Sequence, residues 1–117
     1  MPYMLLIMED PAQRGARSRA EGEAVYERMM DFGKSLRARD LLATGESLLA
    51  PQQKGARVRV RGGKPQVLDG PFAEAKEMVG GFFMLKCKTY EEALAIAGTC
   101  PAAEWATVEV RETGPCY

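Results

Sequence analysis

Three carboxylates fall within nine residues of this chain, in Asp69-Gly70-Pro71-Phe72-Ala73-Glu74-Ala75-Lys76-Glu77. A carboxyl held against apolar walls loses hydration of its charged form and becomes a usable general acid or base near neutral pH. Asp69 is the first candidate because it sits where a strand ends. Glu74 is the second, and Glu77, three residues on, would share a helix face with it. Lys76 could polarise a carbonyl or hold an anionic ligand. Tyr3, on an apolar strand, offers a hydroxyl donor to a cavity beside it. Arg57, Arg59 and Arg61 alternate with valines, and their planar forks suit carboxylate or phosphate ligands.

Each of these residues also has a purely structural reading. Asp is a good helix cap and Pro at a first helical position loses no hydrogen bond, so Asp69-Gly70-Pro71 reads as a turn leading into a helix. Glu74 would then sit in the first turn, favoured by the helix dipole, and Phe72 would anchor the corner in the core or wall a ligand. Arginines on one strand face protect an edge from aggregation. Both readings stay open at the level of sequence.

Composition narrows the chemistry. The chain has no histidine, which excludes Ser-His-Asp and Cys-His catalysis and the usual His-containing metal sites. The expectation is chemistry without metal or organic cofactor. Three irregularly spaced cysteines fit a reduced, cytoplasmic setting better than a disulfide framework. Cys87 reads as buried and inert, Cys100 and Cys116 as exposed in loop or tail. Sixteen basic and sixteen acidic residues cancel, so no nucleic-acid partner is expected. No apolar run approaches the roughly 20 residues that span a membrane.

The 117 residues suit a single domain. Tyr3 to Met8 is a strand apolar on both alternating faces. Ser18 with Glu21 forms a capping-box pattern opening a helix to about Arg39, striped by Val25, Met29, Phe32 and Leu36. Leu41 to Leu49 reads as an irregular strand with a bulge near Gly45. Arg57 to Arg61, Gly62-Gly63 and Gln66 to Leu68 read as a hairpin. Gly81 to Cys87 is a second strand apolar on both faces. Thr89 with Glu92 opens a second helix, with Tyr90, Ala93, Leu94 and Ala97 on one face. Trp105 to Glu112 is a last strand whose polar outer face marks an edge.

Without the hairpin the order is strand, helix, strand, strand, helix, strand. That order predicts a ferredoxin-like βαββαβ antiparallel sheet, class α+β, with an inserted β-hairpin and helices on one face. The two strands that are apolar on both faces then need a second cover. A homodimer packed sheet to sheet, with a cavity for a small-molecule ligand between or beside the sheets, would supply it.

Asp69-Gly70-Pro71-Phe72-Ala73-Glu74 with Lys76-Glu77 closely resembles the DGPF branch of the YCII-related proteins. Tyr3 to Ile7, Arg57 to Gly63 and Val108 to Arg111 are similar to that family's first strand, hairpin and last strand. The resemblance implies a dimeric α+β barrel, and members are often encoded beside or fused to sigma factors of the extracytoplasmic-function class. A His-Asp pair proposed for other members cannot transfer to a chain without histidine. Two functions remain: a ligand-binding or regulatory module linked to a sigma factor, or a cofactor-free lyase or isomerase using Asp69 or Glu74, with Tyr3, Arg57, Arg59, Phe72, Lys76 and Glu77 binding the ligand.

Overall fold

The computed structural model describes residues 2–72 and 75–117. Strand β1 (Tyr3–Glu9) is followed by helix α1 (Arg19–Ala38), strand β2 (Leu42–Ser47) and the one-turn helix α2 (Pro51–Lys54). Strands β3 (Ala56–Arg61) and β4 (Lys64–Asp69) form the hairpin. Strand β5 (Met78–Leu85), helix α3 (Tyr90–Thr99), a 3-10 turn (Pro101–Glu104) and strand β6 (Thr107–Glu112) complete the chain. The main sheet runs β2-β5-β1-β6, all antiparallel. This is the ferredoxin-like order, with β1 and β5 central and β6 at an edge. The sheet of one chain does not close into a barrel.

Strand alternation decides what the helices cover. Tyr3, Leu5, Ile7 and Glu9 are buried under the helices, while Met4, Leu6 and Met8 are half-buried on the other face. Register brings Leu5 between Phe83 and Val110, and Leu6 between Phe82 and Glu109. The helix-side face therefore carries the core, with Phe32 and Leu36 of α1 and Ala93, Ile96 and Ala97 of α3 packed onto it. Phe32 meets Phe83 edge to face at 5.2 Å between centroids. The opposite face presents Met4, Leu6, Phe82 and Met84 with no layer over it among the described residues.

The Ser18–Glu21 capping box forms. Glu21 N donates to Ser18 Oγ at 3.1 Å, and Ser18 N donates to the Glu21 carboxylate at 2.9 Å. The bond from Ser18 N holds the Glu21 carboxyl below its ordinary value, helped by the Ser18 hydroxyl. A depressed folded-state pKa adds stability above the unfolded pKa, near 4.5, and that increment disappears as pH falls through the folded value. Urea unfolding from pH 7 to 3 should show Glu21→Gln lacking this acid-sensitive increment. Parallel pH profiles for Glu21→Gln and wild type would remove it. At α3 only half of the box forms, with Glu92 N donating to Thr89 Oγ1 at 3.1 Å.

Several expectations are corrected. No helix follows Asp69-Gly70-Pro71 among the described residues. Gly70-Pro71 is a cis bond, Ala75 N donates to Phe72 O at 3.0 Å, and residues 75–77 are irregular. Glu77 therefore lies on no helix. Glu74 itself lies outside the described residues. Strand β5 begins at Met78, so Gly80 and Gly81 lie inside the strand. Cys100 is buried, not exposed, because it links α3 to the 3-10 turn inside the core. Burial raises the thiol pKa of both Cys100 and Cys87, which suits neither as a nucleophile. Tyr90 and Leu94 are about half exposed, since α3 buries Ala93, Ile96 and Ala97 instead.

Candidate functional site

The Asp69 corner is built by close backbone approach. Gly70 N donates to Gly55 O at 2.8 Å. A Cβ on Gly70 would lie 2.6 Å from Pro51 O, so no side chain fits there. Asp69 ends β4 exposed to solvent and borders an open hollow of about 550 Å³ with Gln53, Lys54 and Gly55. Phe72 does not anchor the core. It is half-buried with the Arg57 guanidinium 3.9 Å above its ring, a cation–π contact that packs the hairpin base. Lys76 and Glu77 are exposed.

Tyr3 also lies elsewhere. Its ring is buried on the helix side next to Tyr90, and its hydroxyl donates to Glu112 at 2.9 Å. That hydrogen bond is the largest cause raising the tyrosine pKa, so its proton is held, not offered. Arg59 donates to Gln66 at 2.8 Å on the exposed hairpin.

A groove of about 660 Å³ lies on the helix side, between α1 and the β2–β5 edge. Its size lies within the range of small-molecule sites. One wall is the α1 stripe through Val25, Met29 and Met30, recurring at helical spacing. The floor is Phe83 with the glycines of β5, and Trp105 closes one end. The Trp105 ring is fixed by Arg17 and Arg28 guanidinium groups 5.8 and 5.4 Å from its centroid, and Arg28 is in turn ion-paired to Glu104. None of Tyr3, Arg57, Arg59, Asp69, Phe72, Lys76 and Glu77 lines this groove.

One carboxylate does. Glu9 is the last residue of the inward-facing series Tyr3, Leu5, Ile7, and it is 5% exposed. Its Oε1 lies 2.6 Å from Arg14 Nη2. Yet Arg14 directs its N–H groups at backbone carbonyls, Nη1 to Leu48 O at 2.6 Å and Nη2 to Gly80 O at 3.1 Å. Arg14 thus holds Oε1 in an ion pair while also serving the two backbone carbonyls. The pair sets a carboxylate at the wall of the groove, where it can meet a polar group of a bound molecule.

Gly80 makes room for this pair, because a Cβ there would stand 2.2 Å from Glu9 Oε1. The Glu9, Arg14 and Gly80 cluster was not foreseen from sequence, although two signals pointed to it. Glu9 continues the period-two burial of β1, and a glycine pair inside a strand marks close approach.

Comparison with known proteins gives a consistent result. A family model described as the YCII-related domain matches residues 1–115. The chain is also similar to an uncharacterised protein from Rhizobium meliloti (strain 1021), 35% identical over 101 residues, covering 83% of this chain and 77% of the relative.

Proposed function

Because the chain belongs to the YCII-related domain family, a family the sequence had already suggested, we propose that it is a homodimeric module that binds a small molecule in the groove under α1. The observation that carries this reading is the Glu9 carboxylate, buried at the wall of a mostly apolar groove and ion-paired to Arg14. The ligand would have an apolar body against Met29 and Met30 and a donor group on Glu9. Dimerisation is supported by the open sheet face, where Met4, Leu6, Phe82 and Met84 have no cover within one chain. In a regulatory version, groove occupancy would be sensed by an extracytoplasmic-function sigma factor, as the resemblance implies. A pull-down with a neighbouring sigma factor tests that link, and no association across a range of salt would remove it.

The test of the groove is a fragment screen read by methionine-methyl NMR. Hits should move the Met29 and Met30 signals, and Glu9→Gln should weaken donor-bearing hits about tenfold, as expected for losing a charge-assisted hydrogen bond. Hits that cluster at the Asp69 corner, or that ignore Glu9→Gln, would overturn the assignment. The second reading is a cofactor-free lyase or isomerase using Asp69 or Glu74. It is ranked lower because Asp69 is exposed to solvent and does not line the groove. Equal turnover of lactones or enols by Asp69→Asn and wild type would remove Asp69 as its base.

No helix among the described residues is long and apolar enough to cross a membrane.

A further inference from the structure

The groove under α1 has a charge pattern as well as an apolar floor. Side chains of both signs border it. Glu9 is paired to Arg14, so that end is locally neutral. Glu46 contributes to the wall, yet it lies opposite Phe82 in the β2–β5 register, so its side chain projects to the open sheet face. The charges left on the groove are Arg17, Lys34 and Arg37, all cations. Arg17 lies over the Trp105 ring.

Lys34 and Arg37 are the unspent pair. They extend the face of α1 that carries Met30, four and seven positions further along. The other two cations of this helix have partners, Arg19 in Glu23 and Arg28 in Glu104. Among the described residues, Lys34 and Arg37 are ion-paired to no carboxylate. They stand three positions apart, where like charges on a helix repel each other. The helix dipole gives Arg37 a structural reason to sit in the last turn, but its effect fades before Lys34. Two neighbouring cations on the wall of an apolar groove, with their repulsion unrelieved, suit one anionic group between them.

The pair lies at the far end of the groove from Glu9. Gly80 packs against Glu9, while Phe83, three residues on in β5, lies beneath Gly33, next to Lys34. That separation is roughly 10 Å along the strand. Met29 and Met30 wall the space between.

Taking the groove as a small-molecule site, as proposed above, we infer that its ligand is an amphiphilic acid. Lys34 and Arg37 hold the carboxylate head. The apolar body lies along Met29, Met30 and Phe83, and the far end of the molecule reaches Glu9. The groove therefore discriminates against neutral amphiphiles of the same length, which gain the apolar contacts and leave the two cations unsatisfied.

The test titrates octanoate, whose extended chain covers that span, and octanol into the protein, read by methionine-methyl NMR. Octanoate should bind about fivefold tighter than octanol at low salt, and the preference should shrink as salt is added. Lys34→Gln/Arg37→Gln should bring the two probes within about twofold of each other without changing the Kd for octanol. Both positions are exposed, and glutamine keeps the helix propensity, so circular dichroism should be unchanged. Arg39→Gln/Lys88→Gln removes the same charge outside the groove and should keep the preference. Equal affinity of the two probes in wild type, with Met29 and Met30 shifting, overturns the acid and leaves the groove standing. A preference that survives Lys34→Gln/Arg37→Gln, or falls as far in Arg39→Gln/Lys88→Gln, overturns the placement of the head. Probes that leave Met29 and Met30 unmoved at millimolar concentration overturn the acid as well, while other fragments binding there would still uphold the groove. Octanoate that shifts only Met4 and Met84 on the open sheet face overturns both.

Discussion

Gly80→Ala should lower the unfolding free energy by about 3 kcal/mol, the size expected for disrupting a buried ion pair with some relief at the exposed partner. The added methyl would stand 2.2 Å from Glu9 Oε1, 2.7 Å from its Cδ and 3.0 Å from Arg14 Nη2. Glu9 is 5% exposed and cannot retreat into water without leaving Arg14. Arg14 is about one-third exposed, so it can find solvent, and this keeps the cost below the upper end for buried pairs. In a domain of this size the melting temperature should fall by about 10 °C. Urea unfolding should show a lower midpoint with an unchanged slope. Adding Glu9→Ala to Gly80→Ala should restore part of the loss, because the clash and the carboxylate vanish together. A Gly80→Ala protein within about 0.5 kcal/mol of wild type would mean that Glu9 is not held where the groove needs it.

Leu5→Ala should cost a similar amount, about 3 kcal/mol, within the range for large-to-small changes in a core. Leu5 is fully buried in the middle of β1, between Phe83 of β5 and Val110 of β6. Strands on both sides fix the backbone there, so the vacated space cannot collapse readily and the cavity cost stays high. Leu49→Ala serves as the contrast. Leu49 is 66% exposed, and its loss should change stability by about 0.5 kcal/mol or less. Equal effects of the two substitutions on the unfolding midpoint would contradict the core as described.

Both predictions depend on β1, and this strand shows what was readable in advance. Tyr3, Leu5 and Ile7 alternate with Met4, Leu6 and Met8, so a strand apolar on both faces, and central in its sheet, followed from spacing alone. The same held for Phe82 to Leu85. The edge position of β6 followed from Thr107, Glu109 and Arg111 on its outer face. The hairpin turn followed from Gly62 and Gly63, which adopt φ values of 60° and 75°. These patterns are local, and the side-chain period reports directly on the face that is buried.

The Asp69 segment was less legible. Asp, Gly and Pro are shared by helix starts and by turns, and propensity does not separate the two. The contact that decides is Gly70 against Pro51, nineteen positions back in the chain. Phe72 likewise found Arg57 rather than the core, because the hairpin base came close enough to stack on it.

By itself the sequence determined the order of the six strands and the two long helices, the inward and outward faces of the strands, the family and the exclusion of histidine chemistry. Each of these depends on residue type or on neighbours within a few positions. Only the tertiary structure decided where the groove lies and which carboxylate lines it. Glu9, Arg14, Leu48 and Gly80 come from four separate stretches of chain, and the burial that gives Glu9 its chemical character exists only once β1, β5 and the loop before α1 have packed together.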